Sequence, residues 1–364
     1  MKATVNGKMF AEAVALTKTV VGPTQTLPIL SCVRVTFSGD GAELYATNLE
    51  QALTVGLPAE VAEPGIAAVN AAKLQAVSHE LAGEMPTVLA NGTGGLTLET
   101  DGARFTLATL VHDDMPPPGG LEKPERLVLD AKAVLAALEA TVFAVSKDTT
   151  RYALQGVHVA FGEGRARFTA TDGHRLAQSV LPAVEVAAPR EVLVPGEAVK
   201  TMLVLLRRAE QVEIALDPKA LAVTAGRLQF RTRLLEGQFP NTAQVLAAGQ
   251  AGPHVGQVDG PAFQRALRRA DLLNDQPTRP VRLKFEANRL TVLVQNVEVG
   301  SGETTVPCTW SAAPLEIGFN AKYLLDWCGF VSGPVTVRGK DAMHPMLLTA
   351  EGAPLYVVMP MRLG

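Results

Sequence analysis

Apolar and polar residues alternate in short runs along the chain, and one of these runs recurs. Residues 33–37 (Val-Arg-Val-Thr-Phe) alternate with period two, pass a turn at 38–41 (Ser-Gly-Asp-Gly) and return as 44–48 (Leu-Tyr-Ala-Thr-Asn). About 124 residues on, 157–161 (Val-His-Val-Ala-Phe) lead through Gly-Glu-Gly to 168–172 (Phe-Thr-Ala-Thr-Asp). After the same interval, 281–285 (Val-Arg-Leu-Lys-Phe) lead through Glu-Ala-Asn to 292–296 (Val-Leu-Val-Gln-Asn). Period two sends alternate side chains to opposite faces, so each run predicts a β-hairpin with one buried face. Asn48, Asp172 and Asn296 end the return strands in register.

Two amphipathic helices per repeat share this spacing. The first is predicted over residues 10–21, 133–145 and 262–273, where Phe10 and Val14, Val134 and Leu138, and Phe263 and Leu267 stand at i, i+4 on one face. The second begins near Asn70, Pro195 and Asn320, after a short apolar strand such as 191–194. Another hairpin follows, then a hydrophobic-Pro exit at Met115-Pro116, Phe239-Pro240 and Met359-Pro360. Residues 116–124, with four prolines and two glycines, and 247–256, rich in Ala, Gly and Gln, read as linkers. The fold class is therefore α+β: three copies of one domain, at 1–122, 126–248 and 254–364, each with two helices backed by antiparallel sheets. Units this long do not make a solenoid. They suggest an arc or ring in which every domain gives the same two helices to one surface.

Composition narrows this picture. The chain has 364 residues, 47% of them hydrophobic and 19% charged, enough apolar material for packed cores. A net charge of -3 excludes an all-over basic nucleic-acid coat, and 5% aromatics argue against a base-stacking surface. No apolar run approaches the ~18 residues of a membrane helix, and the first ten residues hold no signal-like stretch. Cys32, Cys308 and Cys328 lack metal spacing and read as buried, reduced thiols. The expectation is a cytoplasmic protein with no metal and no cofactor.

No phosphate-binding Gly-rich loop, Gly-x-Ser-x-Gly elbow, His-Glu-x-x-His or paired Cys-x-x-Cys occurs. The one dense polar cluster is 171–176, Thr-Asp-Gly-His-Arg-Leu. An enzyme would use Asp172 and His174 as an acid/base pair. The Asn or Asp, however, is common to all three matching loops, which points to a structural turn, while Gly-His-Arg-Leu occurs once and suits a binding site. The end of the chain, 356–363, is apolar almost throughout and carries Met359 and Met361 around Pro360, flexible side chains that suit a groove for a peptide. Basic residues recur on equivalent helices: Arg265, Arg268 and Arg269 opposite an apolar face, Lys8 beside the first helix, and Lys73, Lys200, Arg207 and Arg208 on or beside second helices. With Lys147, they form a candidate cationic surface that would meet phosphates without reading bases.

Thr-Leu-Pro-Ile-Leu at 26–30, Ala-Thr-Asp-Gly-His-Arg-Leu-Ala at 170–177, Gly-x-Phe-Pro at 237–240, Ile-Gly-Phe-Asn at 317–320 and Tyr-Val-Val-Met-Pro-Met-Arg-Leu at 356–363 together resemble the bacterial sliding clamps, the beta subunits of DNA polymerase III. The resemblance covers essentially the whole chain. It implies a head-to-tail homodimer whose six domains form a closed ring around duplex DNA, with no activity of its own. Polymerase III alpha subunit, clamp loader, other polymerases and repair proteins would insert short hydrophobic peptides into one pocket. Carried over, its walls are Leu154, Thr171, Gly173, His174, Arg175 and Leu176, then Pro240 and Val245, then Val357, Met359, Pro360, Met361 and Arg362. Arg151, Tyr152, Asn320, Tyr323 and Met343 would border it. The dimer contact would set Leu272 and Leu273 against Phe105 and Leu107 of a second copy, with Arg104 facing acidic groups.

The chain departs from the family's pattern at Gln244, where a basic residue often precedes the pocket valine, at Thr24, and at Glu197. The loop at 296–305 keeps only Glu298 and Glu303 as acids. These departures leave a specialised repair paralogue as an alternative to the main replicative clamp.

Overall fold

The computed structural model describes residues 1–22, 27–39, 41–83, 85, 87–91, 95–276 and 278–362. Thr24 and the first residue of the 26–30 motif lie outside them. Seven α-helices occur among the described residues: α1 Gly7–Lys18, α2 Ala71–Glu80, α3 Ala131–Val142, α4 Gly196–Leu205, α5 Ala243–Gln250, α6 Gly260–Asp271 and α7 Ala321–Cys328.

The predicted first helices are α1, α3 and α6, but each starts two or three residues earlier than periodicity alone suggests. The cause is capping. The side chains of Asn6, Asp130 and Asp259 accept hydrogen bonds from the backbone N–H groups of Met9, Ala133 and Ala262, which fixes the first turn ahead of the apolar stripe. The stripe itself is as expected: Phe10, Val14, Val134, Leu138, Phe263 and Leu267 are all buried. The second helices α2, α4 and α7 begin where predicted, with Asn70 and Asn320 as caps for two of them. Helix α5 lies in a stretch read as the approach to a linker. Its Ala-, Gly- and Gln-rich sequence has no strong apolar period, and packing makes it helical: Gly249 is buried with Leu347 and Val357 within van der Waals reach of its Cα side.

The chain forms two compact units that do not follow the repeat boundaries: residues 1–135 with 197–235, and residues 136–196 with 236–364. The first holds a thirteen-stranded sheet. Its hairpin Cys32–Ser38/Gly41–Thr47 is the first predicted one. The strand Gln51–Glu63 pairs along its first half with Gly41–Thr47 on one side and Leu228–Arg233 on the other, from Val55↔Leu228 to Gln51↔Thr232. Strands of the first and middle repeats are thus hydrogen-bonded into one sheet. The linker at 116–124 is tied down here as well. Tyr45 Oη donates to Pro116 O at 2.9 Å, Arg231 Nη2 to Gly120 O at 3.3 Å, and Glu122 N to the Asp217 carboxylate at 3.2 Å.

The second unit holds twelve strands and repeats the device. The predicted hairpins Gly156–Gly162/Arg165–Thr171 and Pro280–Glu286/Arg289–Asn296 are both present. Arg175–Pro182 pairs antiparallel with Leu355–Val358, from Arg175↔Val358 to Gln178↔Leu355, so the middle and last repeats also share a sheet. The apolar tail at 355–358 is therefore an interior strand, which explains why it is not frayed.

Candidate functional site: a groove beside the terminal strand

The three aligned strand ends form the same turn. The Asn48 side-chain oxygen accepts from Glu50 N and Gln51 N at 3.1 and 2.7 Å. Asp172 accepts from His174 N and Arg175 N at 2.9 and 3.0 Å, and Asn296 from Glu298 N and Val299 N at 2.9 and 3.3 Å. In the first two, a threonine closes the loop: the hydroxyls of Thr47 and Thr171 donate to the carbonyls of Gln51 and Arg175. In these two the residue after the Asn or Asp is left-handed. Leu49 takes that strain at φ 77°, whereas Gly173 adopts φ 89° without cost. A Cβ on Gly173 would also lie 2.7 Å from Arg151 Nη1.

Within the middle turn, Arg175 is only 8% exposed and fully engaged. Its Nε donates to Asp172 Oδ2 at 3.0 Å, Nη1 to Asp326 Oδ2 at 2.7 Å and Nη2 to Phe143 O at 2.6 Å. The guanidinium also lies 4.5 Å from the centre of the Tyr323 ring. Burial disfavours its charge, but the neighbouring Tyr356 phenol, the hydrogen bond to Asp326 and the charges of Asp172 and Asp326 outweigh that and raise its pKa. Arg175 is thus a latch between the middle turn and α7. Asp172 has both carboxylate oxygens committed, and no hydrogen bond joins it to the His174 ring, which instead stacks on Tyr323 at 6.4 Å between centres.

Beyond the latch, the terminal segment is pinned at alternate residues. Met359 N donates to His174 O at 2.8 Å, and Met361 N to Gly318 O at 2.9 Å. Beside the pinned segment lies an open cavity of about 690 Å³, lined by Met343, Met359, Pro360, Met361 and Arg362 together with Ile317, Gly318, Ala342 and the paired Arg282 and Glu316. Ile317, Gly318 and Ala342 were not among the predicted walls. The bridge to Gly318 that brings them in has no local sequence signal.

The remaining predicted walls divide among other positions in the same unit. Leu176 and Val357 are buried in a cluster with Leu347, against which Leu246 of α5 packs; Leu246 and Leu347 were also missed. Val245 stays 37% exposed on α5. Pro240 lines a separate cavity of about 600 Å³, where Phe239 stacks on His158 at 4.7 Å. Leu154 ends a short 3₁₀ turn and is half-buried, with Arg151 and Tyr152 exposed beside it. Asn320 is occupied as the cap of α7, and Tyr323 O accepts from Tyr356 Oη at 2.8 Å.

The basic candidates are all exposed. Lys8 and Lys73 sit near the starts of α1 and α2, and Lys147 follows α3. Lys200 is paired with Glu197 at 2.6 Å, and Arg208 with Glu12 at 3.1 Å, while Arg207 has no ion pair among the described residues. Arg265, Arg268 and Arg269 project from α6 opposite its buried face and also make no ion pair among the described residues. Of the dimer candidates, Arg104, Phe105 and Leu107 lie on Arg104–Leu107, the edge strand of the first sheet, with Phe105 40% exposed and Arg104 3.6 Å from Glu99. Leu272 is 79% and Val297 99% exposed, and Leu273 is half-buried. No group of three or more His, Cys, Asp or Glu is placed to hold a metal among the described residues.

A tandem of two-helix, antiparallel-sheet repeats, joined through shared sheets and carrying a pinned apolar tail beside a groove, defines a clamp-type chain. Family models of the DNA polymerase III beta subunit match in order: the N-terminal domain at residues 1–118, the central domain at 128–241 and the C-terminal domain at 252–362. The "Beta sliding clamp" of Caulobacter vibrioides is 30% identical, with both chains covered completely. The crystal structure of the Pseudomonas aeruginosa DNA polymerase III subunit beta superposes with a TM-score of 0.93 at 29% identity, again over all of both chains. A Caulobacter crescentus clamp, described with polyethylene glycol in a region related to beta-motif tethering, gives 0.93 at 29% over 100% of this chain and 99% of that one. The chain belongs to the DNA polymerase III beta subunit family.

Proposed function

We propose that the protein is a DNA sliding clamp: a homodimeric ring of six domains, three per chain at 1–122, 126–248 and 254–364, that encircles duplex DNA and tethers polymerases, a clamp loader and repair proteins in the cytoplasm. The observation that carries the reading is the match of the N-terminal, central and C-terminal domain models, in that order, along nearly the whole chain. A ring holds DNA by topology. It needs no base contacts and only a weakly cationic lining, because a tight phosphate grip would stall sliding. A net charge of -3 with exposed basic residues on α1, α2, α4 and α6 is compatible with that demand.

The dimer contact is supported by side chains that water should not face. Leu272 and Val297 are largely exposed, and Phe105 stands on a strand whose outer edge is unpaired among the described residues. Pairing that edge with a second copy would satisfy its backbone groups and cover the apolar side chains. The partner pocket is supported by the flexible methionines Met343, Met359 and Met361 around one open cavity. The lack of a reaction of its own is supported by Asp172, whose carboxylate is consumed by the turn and the latch.

Titration of a labelled hydrophobic clamp-binding peptide tests the pocket. Saturable binding that weakens by roughly tenfold in Met361→Ala is expected, in the range of losing one well-packed interface side chain. Absence of saturation in the parent protein would remove the peptide-tethering part of the reading.

A further inference from the structure

We propose that the partner-peptide site does not end at Pro240 but continues into the cavity beside it, and that this extension binds a carboxylate flanking the hydrophobic core of the peptide. The inference rests on the peptide-tethering reading given above and adds a charge preference to it. The continuity comes from the strands Arg165–Thr171 and Arg175–Pro182. Thr171 and Leu176, two of the predicted walls, stand directly opposite each other. Two residues along each strand Thr169 faces Gln178, and two further stands Arg167. Period two puts these side chains on one face of the sheet. At ~3.4 Å per residue, Arg167 lies about 14 Å from Thr171, the reach of roughly four extended peptide residues. The cavity of about 600 Å³ has Arg167, Thr169, Gln178 and His158 on one side, and Phe239, Pro240 and α5 on the other. Leu246 of α5 lines it and also packs on the buried cluster of Leu176, Leu347 and Val357.

Charge identifies the ligand. The titratable side chains that line the cavity are His158, Arg167 and Glu191. Glu191 Oε2 lies 3.2 Å from His158 Nε2, and the His158 ring is stacked on Phe239. Gln178 Nε2 donates to Thr169 Oγ1 at 3.1 Å. Arg167, by contrast, is half-buried and makes no ion pair or side-chain hydrogen bond among the described residues. Its guanidinium is a planar fork of unused donors, and a carboxylate matches that fork with parallel, charge-assisted hydrogen bonds. A neutral flank gains less there, and a basic flank is repelled.

Two fluorescein-labelled peptides share one hydrophobic clamp-binding core; one carries a short Asp/Glu run at each end, the other a Ser run of the same length. Both are titrated into the full chain by fluorescence anisotropy at low salt. The acidic peptide should bind roughly fivefold more tightly than the neutral one. The advantage should vanish in Arg167→Gln and shrink at ~0.5 M salt. It should persist in Lys147→Gln, which removes an equal charge from the same unit outside both cavities. The neutral peptide should bind the parent and Arg167→Gln alike, which shows that the variant is folded. Equal affinity of the two peptides for the parent, or an advantage that survives Arg167→Gln or falls as far in Lys147→Gln, overturns the extension and leaves the groove standing. So does weaker binding of the neutral peptide to Arg167→Gln, which would make Arg167 a structural residue. Saturation with neither peptide overturns the groove itself, and the extension with it.

Discussion

Replacing Arg175 with Met keeps the stem and deletes the charge. Four interactions disappear: ion pairs to Asp172 at 3.0 Å and Asp326 at 2.7 Å, the bond to Phe143 O at 2.6 Å, and the stack on Tyr323. Removing one partner of a buried ion pair costs about 3–5 kcal/mol, largely because the other charge is stranded. Here neither acid is wholly stranded. Asp172 keeps two backbone N–H donors, and Asp326 keeps Lys322 at 2.7 Å. The low end, about 3 kcal/mol, is therefore expected. For a unit of this size, a loss of ~3 kcal/mol lowers Tm by roughly 6–12 °C. Differential scanning calorimetry of the parent, Arg175→Met, Asp326→Asn and the double variant measures both the loss and the coupling. The Arg175→Met and Asp326→Asn effects should be less than additive, since the two share one bond. A Tm within about 2 °C of the parent, or full additivity, refutes the latch. The peptide assay should weaken in parallel, because the latched turn supplies the His174 carbonyl that pins Met359.

Other consequences follow from the same contacts. Leu272→Asp changes a side chain that is 79% exposed, so by sedimentation it should convert dimer to monomer while Tm of the dilute protein changes by less than about 2 °C; an unchanged dimer would argue against that contact. Burial raises the thiols of Cys308 and Cys328, to about 11 and about 12, so neither should react appreciably with iodoacetamide at pH 8 until the protein unfolds, and rapid native labelling would contradict their placement. Burial pushes the Asp217 carboxyl up, but backbone N–H donors from Lys219, Ala220 and Glu122 more than compensate and hold it below the ordinary range. A depressed folded-state pKa gives stability that is present above the unfolded value of about 3.9 and is lost as pH falls through the folded one. Asp217→Asn should therefore flatten the acid limb of the stability curve below about pH 4.

Much of the fold was legible because it is local and repeated. The hairpins at 33–48, 157–172 and 281–296 follow from period-two alternation, and the shared Asn48, Asp172 and Asn296 follow from the turn they close. Helix starts were displaced because Gly7 and Gly260 hide the first turn, which the caps Asn6 and Asp259 nonetheless fix. Helix α5 was missed because its helicity comes from packing on Leu347 and Val357, contacts far away in sequence. The seams Gln51–Glu63 with Leu228–Arg233 and Arg175–Pro182 with Leu355–Val358 join different repeats and leave no local signature, so the division into two units could not be read from the chain. The same holds for the groove. Its methionines stand out in the sequence, whereas Gly318 and Ala342 enter only through tertiary contact, and nothing in Gly-His-Arg-Leu distinguishes an arginine that is buried from one that is displayed.

A closed ring holds DNA by encirclement and not by its grip on phosphates. Labelled protein is loaded by a clamp loader onto nicked circular DNA and passed through a sizing column at ~0.5 M salt, where exposed charge contacts are screened beyond a few ångströms. The protein should remain with the circle and be lost once the DNA is cut to a linear form. Equal retention on circular and linear DNA, or none on either after loading, would contradict the account.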